Sequence, residues 1–140
     1  MKQKDKELLL QDLCSRLPYG VKVQYQVGSQ LPDIKTFDGK QYDELKIGNY
    51  IDDWLKCTFK PYLFPISSMT EEQKKFFKDK PIFLDYENEL VVKEDFFGNS
   101  QFTMLEDWVE VILWLLKNHF DYRGLIPKGL AIDCTNLNIY

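Results

Sequence analysis

The chain has 140 residues, of which 44% are apolar and 29% are charged, and its formal net charge is −4. This length suits one folding unit with a substantial core, so we predict a single domain spanning residues 1–140. The acidic balance and the lack of a basic run argue against nucleic-acid binding. No apolar stretch approaches the roughly 18 residues that a membrane span requires, so we expect no membrane partner.

The three cysteines, Cys14, Cys57 and Cys134, are far apart and lack the paired spacing typical of zinc and iron–sulfur sites. Isolated thiols in odd number favour a reducing compartment. We therefore expect a cytoplasmic protein that carries no metal and no cofactor. Aromatic residues make up 15% of the chain, which is high, so their rings must be buried, stacked or placed against a partner.

The first element predicted by the apolar pattern is an amphipathic helix over residues 5–17, which ends before a proline. Leu9 and Leu13 lie on its packed arc. Asp12 and Arg16 lie off that arc, so we expect both side chains to be exposed.

Strands follow this helix. Strict alternation of apolar and polar residues predicts a half-buried strand over 21–27, and a short strand is expected over 34–37. Asp38-Gly39 then predicts a hairpin turn that leads into an irregular return strand over 42–47.

The middle of the chain gives weaker signals. Residues 50–59 fit either a strand or a helix. The two prolines of residues 60–66 make this segment unsuited to a central strand, so we expect it to cross the sheet as a packed coil. Its aromatic side chains, Tyr62 and Phe64, either plug the core or form a recognition ledge for a partner.

Thr70, followed three residues later by Gln73, forms a capping box and predicts a short helix that runs to about Lys78. Beyond it, apolar pairs bounded by turn residues predict short strands. Three such strands are expected: 82–84, 89–92 and 130–133.

The strongest helix signal runs from Thr103 to His119. Thr103 and Glu106 form a second capping box at its start. Trp114 lies among charged residues, which predicts an exposed ring. The opposite, apolar arc predicts the packed face and contains Leu105, Trp108, Val109, Val111, Ile112, Leu115 and Leu116.

Together these elements predict an α+β fold. We expect a small antiparallel sheet of three to five strands, with the amino-terminal helix and the long helix of the carboxy-terminal half packed on it. The short helix that begins after Thr70 is expected at the periphery.

The residues that follow the long helix include the only histidine of the chain. His119, Asp121 and Arg123 suit acid–base chemistry or phosphate binding, because a carboxylate orients an imidazole and a guanidinium holds an anion. The structural alternative places His119 on the packed face as a cap, pairs Asp121 with Arg123, and gives Gly124 the positive-φ position that ends the helix. We favour this alternative, since the sequence indicates no second catalytic group.

Three segments of the chain carry one resemblance: Leu17-Pro-Tyr-Gly-Val-Lys22, Lys60-Pro-Tyr-Leu-Phe-Pro-Ile-Ser-Ser-Met-Thr-Glu-Glu72 and Asn118-His-Phe-Asp-Tyr-Arg-Gly-Leu-Ile-Pro-Lys-Gly-Leu130. Through them the chain resembles a family of small uncharacterised proteins encoded by gut bacteria and their phages and prophages. The resemblance implies a mobile-element setting, and it implies no activity, cofactor or catalytic residue. Residues 80–103 are longer than the family pattern, so the resemblance says least about them.

Three functional hypotheses remain. The leading one is a non-enzymatic accessory or protein-interaction protein of mobile-element origin, which binds another protein or itself through Trp114, Tyr62 and Phe64. The second is a small hydrolase or phosphate-processing enzyme that uses His119, Asp121 and Arg123. The third is an acidic mimic of nucleic acid, which the net negative charge favours.

Overall fold

The computed structural model describes residues 2–39, 57–92 and 101–140, with the backbone alone at Cys57 and at 101–104. The predicted return strand over 42–47 and most of the ambiguous segment 50–59 lie outside the described residues. The elements in chain order are α1 (Gln3–Arg16), a 3-10 turn (Leu17–Tyr19), β1 (Lys22–Val27), β2 (Asp33–Thr36), β3 (Cys57–Leu63), a 3-10 turn (Ile66–Ser68), α2 (Glu71–Lys74), a 3-10 turn (Lys75–Phe77), β4 (Ile82–Leu84), β5 (Leu90–Val92), α3 (Gln101–Lys117) and β6 (Ile132–Asp133).

Four of these strands form one sheet in the order β2-β1-β3-β6, and β4 pairs with β5 in a separate antiparallel hairpin. β1 is antiparallel to both of its neighbours, with Val23 opposite Lys35 on β2 and Pro61 on β3. β6 joins β3 in parallel, with Tyr62 opposite Ile132. The predicted α+β fold is confirmed, and the sheet is antiparallel through its first three strands and parallel at the last.

The segment predicted as a packed coil contributes a central strand instead. Residues 60–63 belong to β3, which lies between β1 and β6, so the prediction is wrong for them. The rule against proline in central strands rests on a lost backbone hydrogen bond. Pro61 loses no such bond, because its nitrogen points away from β1.

The direction of the Pro61 nitrogen follows from the bonds of β1. The Val21 carbonyl accepts a hydrogen bond from the Phe37 N–H at 2.9 Å on the β2 side. Along a strand, the backbone N–H and C=O of successive residues point to opposite sides, so residues two apart point to the same side. The N–H and C=O of Val23 therefore point to β2, like the Val21 carbonyl, and neither points to Pro61. On the other side of β3, pairing with β6 begins only at Tyr62. Proline therefore costs β3 no bond to β1.

α1 packs on this sheet and forms the first core cluster. Leu9 and Leu13 bury their side chains against the strands, as their positions on the predicted arc suggest. Residues from beyond the long helix complete the cluster, whose buried members are Leu9, Leu13, Val21, Val23, Phe37, Phe59, Leu63, Leu125, Leu130 and Ala131.

α3 forms a second core cluster with the β4–β5 hairpin and the turn that follows α2. The buried members of this cluster are Met69, Phe77, Ile82, Val111, Leu115 and Phe120. α1 and α3 therefore bury their apolar faces in different clusters. No helix in the described part of the chain has the length and apolar character needed to cross a membrane.

The two predicted capping boxes have different outcomes. The box at Thr70 is confirmed: Gln73 N–H donates to the Thr70 hydroxyl at 3.2 Å, and the Gln73 side chain accepts from Thr70 N–H at 2.8 Å. α3 begins at Gln101, so Thr103 lies inside the helix and the predicted start is two residues late.

The packed face of α3 is narrower than the apolar arc in its sequence. Val111 and Leu115 are fully buried, whereas Leu105 and Val109, which were predicted to face inward, are 62% and 52% exposed. Val109 and Val111 point in nearly opposite directions, about 160° apart at roughly 100° per residue. The sequence arc therefore contains two surfaces, one buried and one exposed.

Candidate functional site

α3 ends at Lys117, and two residues later His119 has a left-handed backbone with φ of 61°. His119 N–H donates to the Leu116 carbonyl at 3.1 Å, and Phe120 N–H donates to the Leu115 carbonyl at 2.9 Å. These two bonds form a Schellman motif, in which the residue after the helix takes a positive φ. Gly124 has a φ of 70° in the following loop, but the prediction that it ends the helix is wrong. We call residues 118–126 the α3 junction.

Phe64, just beyond β3, holds the α3 junction against the sheet. Its N–H donates to the His119 carbonyl at 2.9 Å, and its carbonyl accepts from Asp121 N–H at 2.8 Å. Its half-buried ring lies 6.1 Å from the Phe120 ring and 5.9 Å from the Tyr140 ring, measured between centroids. Tyr62, two residues earlier, is only 5% exposed. Both side chains therefore belong to the core, and these positions do not support the recognition ledge predicted for them.

The His119 imidazole stacks on the Tyr140 ring, with centroids 3.8 Å apart and planes 9° from parallel. Burial, followed by the positive charge of Arg16, lowers the pKa of His119 from 6.5 to about 4. The imidazole is therefore neutral near pH 7. Its buried Nδ1 has no hydrogen-bond partner within the residues that the structure describes.

The Tyr140 hydroxyl joins two strands of the sheet. It accepts from Lys22 N–H at 3.0 Å and donates to the Tyr62 carbonyl at 2.8 Å. The β1–β3 register, in which Val23 lies opposite Pro61, places Lys22 and Tyr62 as the next pair. The hydroxyl bridges that pair. Burial raises the pKa of Tyr140, so the bridge stays protonated at neutral pH.

A fully buried ion pair on α1 packs against the α3 junction and contacts its backbone. Asp12 and Arg16 are both 0% exposed, and Arg16 Nε donates to Asp12 Oδ2 at 2.7 Å. Arg16 Nη2 donates to Asp12 Oδ1 at 3.1 Å and to the Phe120 carbonyl at 2.8 Å. The prediction that both side chains are exposed is wrong, because the chain after α3 covers this side of α1. An acid and a base four residues apart were the available signal.

Asp121, a predicted catalytic residue, closes the loop that follows α3. Its carboxylate accepts from Leu125 N–H and from Ile126 N–H, each at 2.8 Å, and the residue is 8% exposed. Both carboxylate oxygens are therefore engaged with the backbone. An aspartate at this position therefore has a structural role, since its carboxylate accepts the hydrogen bonds of the Leu125 and Ile126 amides in a compact loop.

Arg123 completes the contacts of the α3 junction. Its Nε donates to the Tyr122 hydroxyl at 2.9 Å and lies 3.5 Å from Asp12 Oδ1. The predicted local pair of Asp121 and Arg123 is therefore wrong, since the guanidinium pairs with α1. His119, Asp121 and Arg123 each have a different structural partner, and no contact in the described chain joins the three.

Trp114 is half-buried rather than exposed, so its predicted position is wrong. Its ring stacks on Phe76, with centroids 4.5 Å apart and planes 7° from parallel, and on Phe120 at 5.7 Å and 14°. The turn after α2 covers this charged side of α3, and it also brings Lys80 Nζ to 2.7 Å from Glu110 Oε2. These ring contacts leave little of Trp114 for a partner.

The exposed apolar surface of α3 lies elsewhere on the helix. Leu105, Val109 and Leu113 are 62%, 52% and 47% exposed and follow each other at intervals of four residues. This spacing places them in one row, which we call the α3 ridge. Glu106 and Glu110 are exposed beside it, and residues 101–116 contain no lysine or arginine.

Comparison with known proteins finds no matching family model, no matching curated protein and no matching solved structure. The resemblance to small proteins of gut bacteria and their phages therefore stays a prediction. The functional argument rests on the α3 ridge and the α3 junction.

Proposed function

We propose that the chain is a non-enzymatic accessory protein that binds another protein through the α3 ridge. The observation that carries this proposal is the row of three exposed aliphatic side chains on a helix whose other side is packed. Single exposed leucines are common on protein surfaces, but a continuous apolar strip is typical of a contact surface. In the mobile-element setting that the resemblance implies, the chain would be an accessory factor of a phage or prophage.

The chemistry of the α3 ridge favours an amphipathic helix as its partner. A row with four-residue spacing fits between the side chains of a second helix. Glu106 gives one edge of the row a negative charge, whereas the neighbouring Glu110 is paired with Lys80. We therefore expect a basic residue on the partner helix where it meets Glu106.

The contacts of the α3 junction favour this function over a hydrolase. Acid–base catalysis requires groups that converge on a substrate. The Asp121 carboxylate is held by backbone amides, the His119 ring lies on Tyr140, and Arg123 pairs with Asp12. The acidic-mimic hypothesis is supported by the net charge alone.

Photocrosslinking in the cells that naturally express the chain tests the proposal. We expect p-benzoylphenylalanine in place of Val109 to give one discrete adduct with a second protein, identified by mass spectrometry. The same photoreactive residue at Leu31, which is 92% exposed and lies outside α3, is the control and should give no such adduct.

A double substitution of the α3 ridge, Leu105→Glu with Leu113→Glu, should abolish the adduct while circular dichroism shows an unchanged fold. An adduct that persists in this variant would contradict the proposal. Sedimentation velocity separates the remaining alternative: a dimer of the chain that the double substitution dissociates would identify self-association in place of a second protein.

A further inference from the structure

A groove with a volume of about 610 Å³ is lined by residues outside the α3 ridge. Three segments line it: the turn at 65–67, the β4–β5 turn at 87–90 and the loop at 121–127. Its volume falls within the range of about 300–1,000 Å³ that is typical of ligand sites. We call it the hairpin groove. It shares no residue with the α3 ridge, so it requires its own explanation.

The lining of the hairpin groove combines apolar walls with negative charge. The apolar part comprises Pro65, Ile66, Leu90, Tyr122, Ile126 and Pro127. The charged lining residues that the structure describes are all acidic: Glu87, Glu89 and Asp121. Within the described ranges 2–39, 57–92 and 101–140, no lysine or arginine lines the groove to neutralise this charge.

The glutamates are held in place by the β4–β5 turn. Glu87 N–H and Glu89 N–H both donate to Asp85 Oδ1, at 2.9 and 2.8 Å, and Asn88 between them has a φ of 61°. Carboxylate oxygens of Asp85, Glu87 and Glu89 lie within 4.8 Å of one another. The negative charge is therefore concentrated at one edge of the groove, where it attracts cationic groups.

We infer that the hairpin groove binds an extended peptide segment of a protein partner that carries lysine or arginine side chains. These side chains have a long aliphatic stem and a cationic head. The apolar walls receive the stem and the glutamates receive the head. A metal ion alone would leave the apolar walls uncovered, and a neutral peptide would leave the glutamates without a counter-charge.

Titration with a short, terminally blocked Lys-Pro repeat peptide, which is extended, tests this inference by nuclear magnetic resonance. We expect the backbone amide resonances of Ile66, Ser67, 87–90 and 121–126 to shift. The double variant Glu87→Gln with Glu89→Gln should bind at least about fivefold more weakly, the loss expected from two exposed ion pairs.

The matched control is Glu71→Gln with Glu72→Gln, which changes the net charge equally at exposed residues of α2 outside the groove. It should weaken binding by less than about twofold, the effect of distant, screened charges. Equal weakening by the two double variants would mean a general acidic attraction and would overturn the inference. A Gln-Pro repeat that binds as tightly as the Lys-Pro repeat would overturn it as well.

Absence of binding by the unaltered chain would overturn the inference too. The α3 ridge variant Leu105→Glu with Leu113→Glu should bind the peptide as tightly as the unaltered chain. The experiments can therefore contradict peptide binding in the hairpin groove while they support partner binding at the α3 ridge, or the reverse.

Discussion

The α3 junction and the α3 ridge differ in composition and in accessibility. The polar residues of the junction are occupied within the protein, whereas the apolar residues of the ridge are exposed. The α3 junction contains histidine, aspartate, tyrosine and arginine, yet these side chains contact the protein itself. The α3 ridge contains only leucine and valine, yet it faces solvent. Reactive residue types therefore indicate a functional site only when they are free to meet a ligand.

The composition of the α3 junction has a structural cause. It lies where α1, the end of β3 and Tyr140 meet, so its backbone and side-chain polar groups lose water. Buried polar groups are stabilised by partners inside the protein, although Arg16 Nη1 and His119 Nδ1 have none among the described residues. Arg16 donates a hydrogen bond to the Phe120 carbonyl, and the Asp121 carboxylate accepts hydrogen bonds from the Leu125 and Ile126 amides.

The largest expected effect tests whether the junction is structural. Asp12→Ala leaves Arg16 buried without its carboxylate and should lower the free energy of unfolding by about 3–5 kcal/mol. Urea denaturation followed by circular dichroism measures it. The control Glu71→Ala breaks an exposed pair with Lys74 and should cost no more than about 1 kcal/mol. Similar losses in the two variants would mean that the buried pair is not important for stability.

Two leucines of α3 provide a direct comparison between its two surfaces. Leu115→Ala removes a fully buried side chain from the second cluster and should cost about 2–5 kcal/mol. Leu113→Ala, two residues earlier on the α3 ridge, should change stability by no more than about 0.5 kcal/mol. Thermal and urea unfolding of both variants check this. A large loss at Leu113 would indicate that the ridge is packed in solution.

The titration of His119 gives a smaller, pH-dependent effect. Its folded pKa of about 4 lies below its ordinary value of 6.5, so the unfolded chain takes up the proton more readily between these values. The contribution of neutral His119 is fully present above about pH 6.5 and is lost as the pH falls through about 4. Because His119 is only partly buried, solvent screens part of this effect, and between pH 7 and pH 4.5 the chain should lose about 1–2 kcal/mol more stability than His119→Asn.

Asparagine is chosen for this variant because it tolerates a positive φ. Urea unfolding of both proteins across this pH range isolates the histidine, since all other titrating groups are shared. Parallel pH profiles would show that His119 is not shielded from protonation, and the junction would then be more open than the structure indicates.

The smallest expected effect concerns the bridge between β1 and β3. Tyr140→Phe keeps the ring stacked on His119 but removes the hydroxyl that joins Lys22 and Tyr62. The loss should be about 1 kcal/mol, and the Lys22 amide should exchange its hydrogen faster. Tyr86→Phe, at a residue that is 92% exposed, should change neither quantity. Equal exchange rates at Lys22 would argue against the bridge.

Local signals in the sequence predicted much of the fold. The capping box at Thr70 holds because both of its bonds join residues three apart. β1 follows from short-range alternation, and β4 and β5 follow from short apolar runs bounded by turn residues. The rule against proline did not predict β3, because it depends on the direction of the Pro61 nitrogen, which only the register defines. The packed face of α3 was predicted too wide, because its arc of seven apolar residues is broad enough to contain both a buried and an exposed surface.

The candidate site was harder to predict because its partners are distant in the chain. The carbonyl that Arg16 contacts belongs to Phe120, and the amide that Tyr140 contacts belongs to Lys22. Periodicity describes one element at a time, so it placed Asp12 and Arg16 on an exposed side. It also could not show that the turn after α2 covers Trp114. The sequence did reveal the apolar excess of α3, and only the fold separates its packed part from the α3 ridge.

The route of the chain through its two core clusters sets an order for folding. The first cluster includes Val23, Phe59 and Leu63 from the sheet, together with Leu125, Leu130 and Ala131. Every buried residue of the second cluster comes from the stretch of chain between these two groups. During synthesis, the first cluster, which α1 and the early strands begin, therefore stays incomplete until residues 125–131 leave the ribosome. Contacts between residues far apart in the sequence slow folding and prolong the exposure of an aggregation-prone apolar surface.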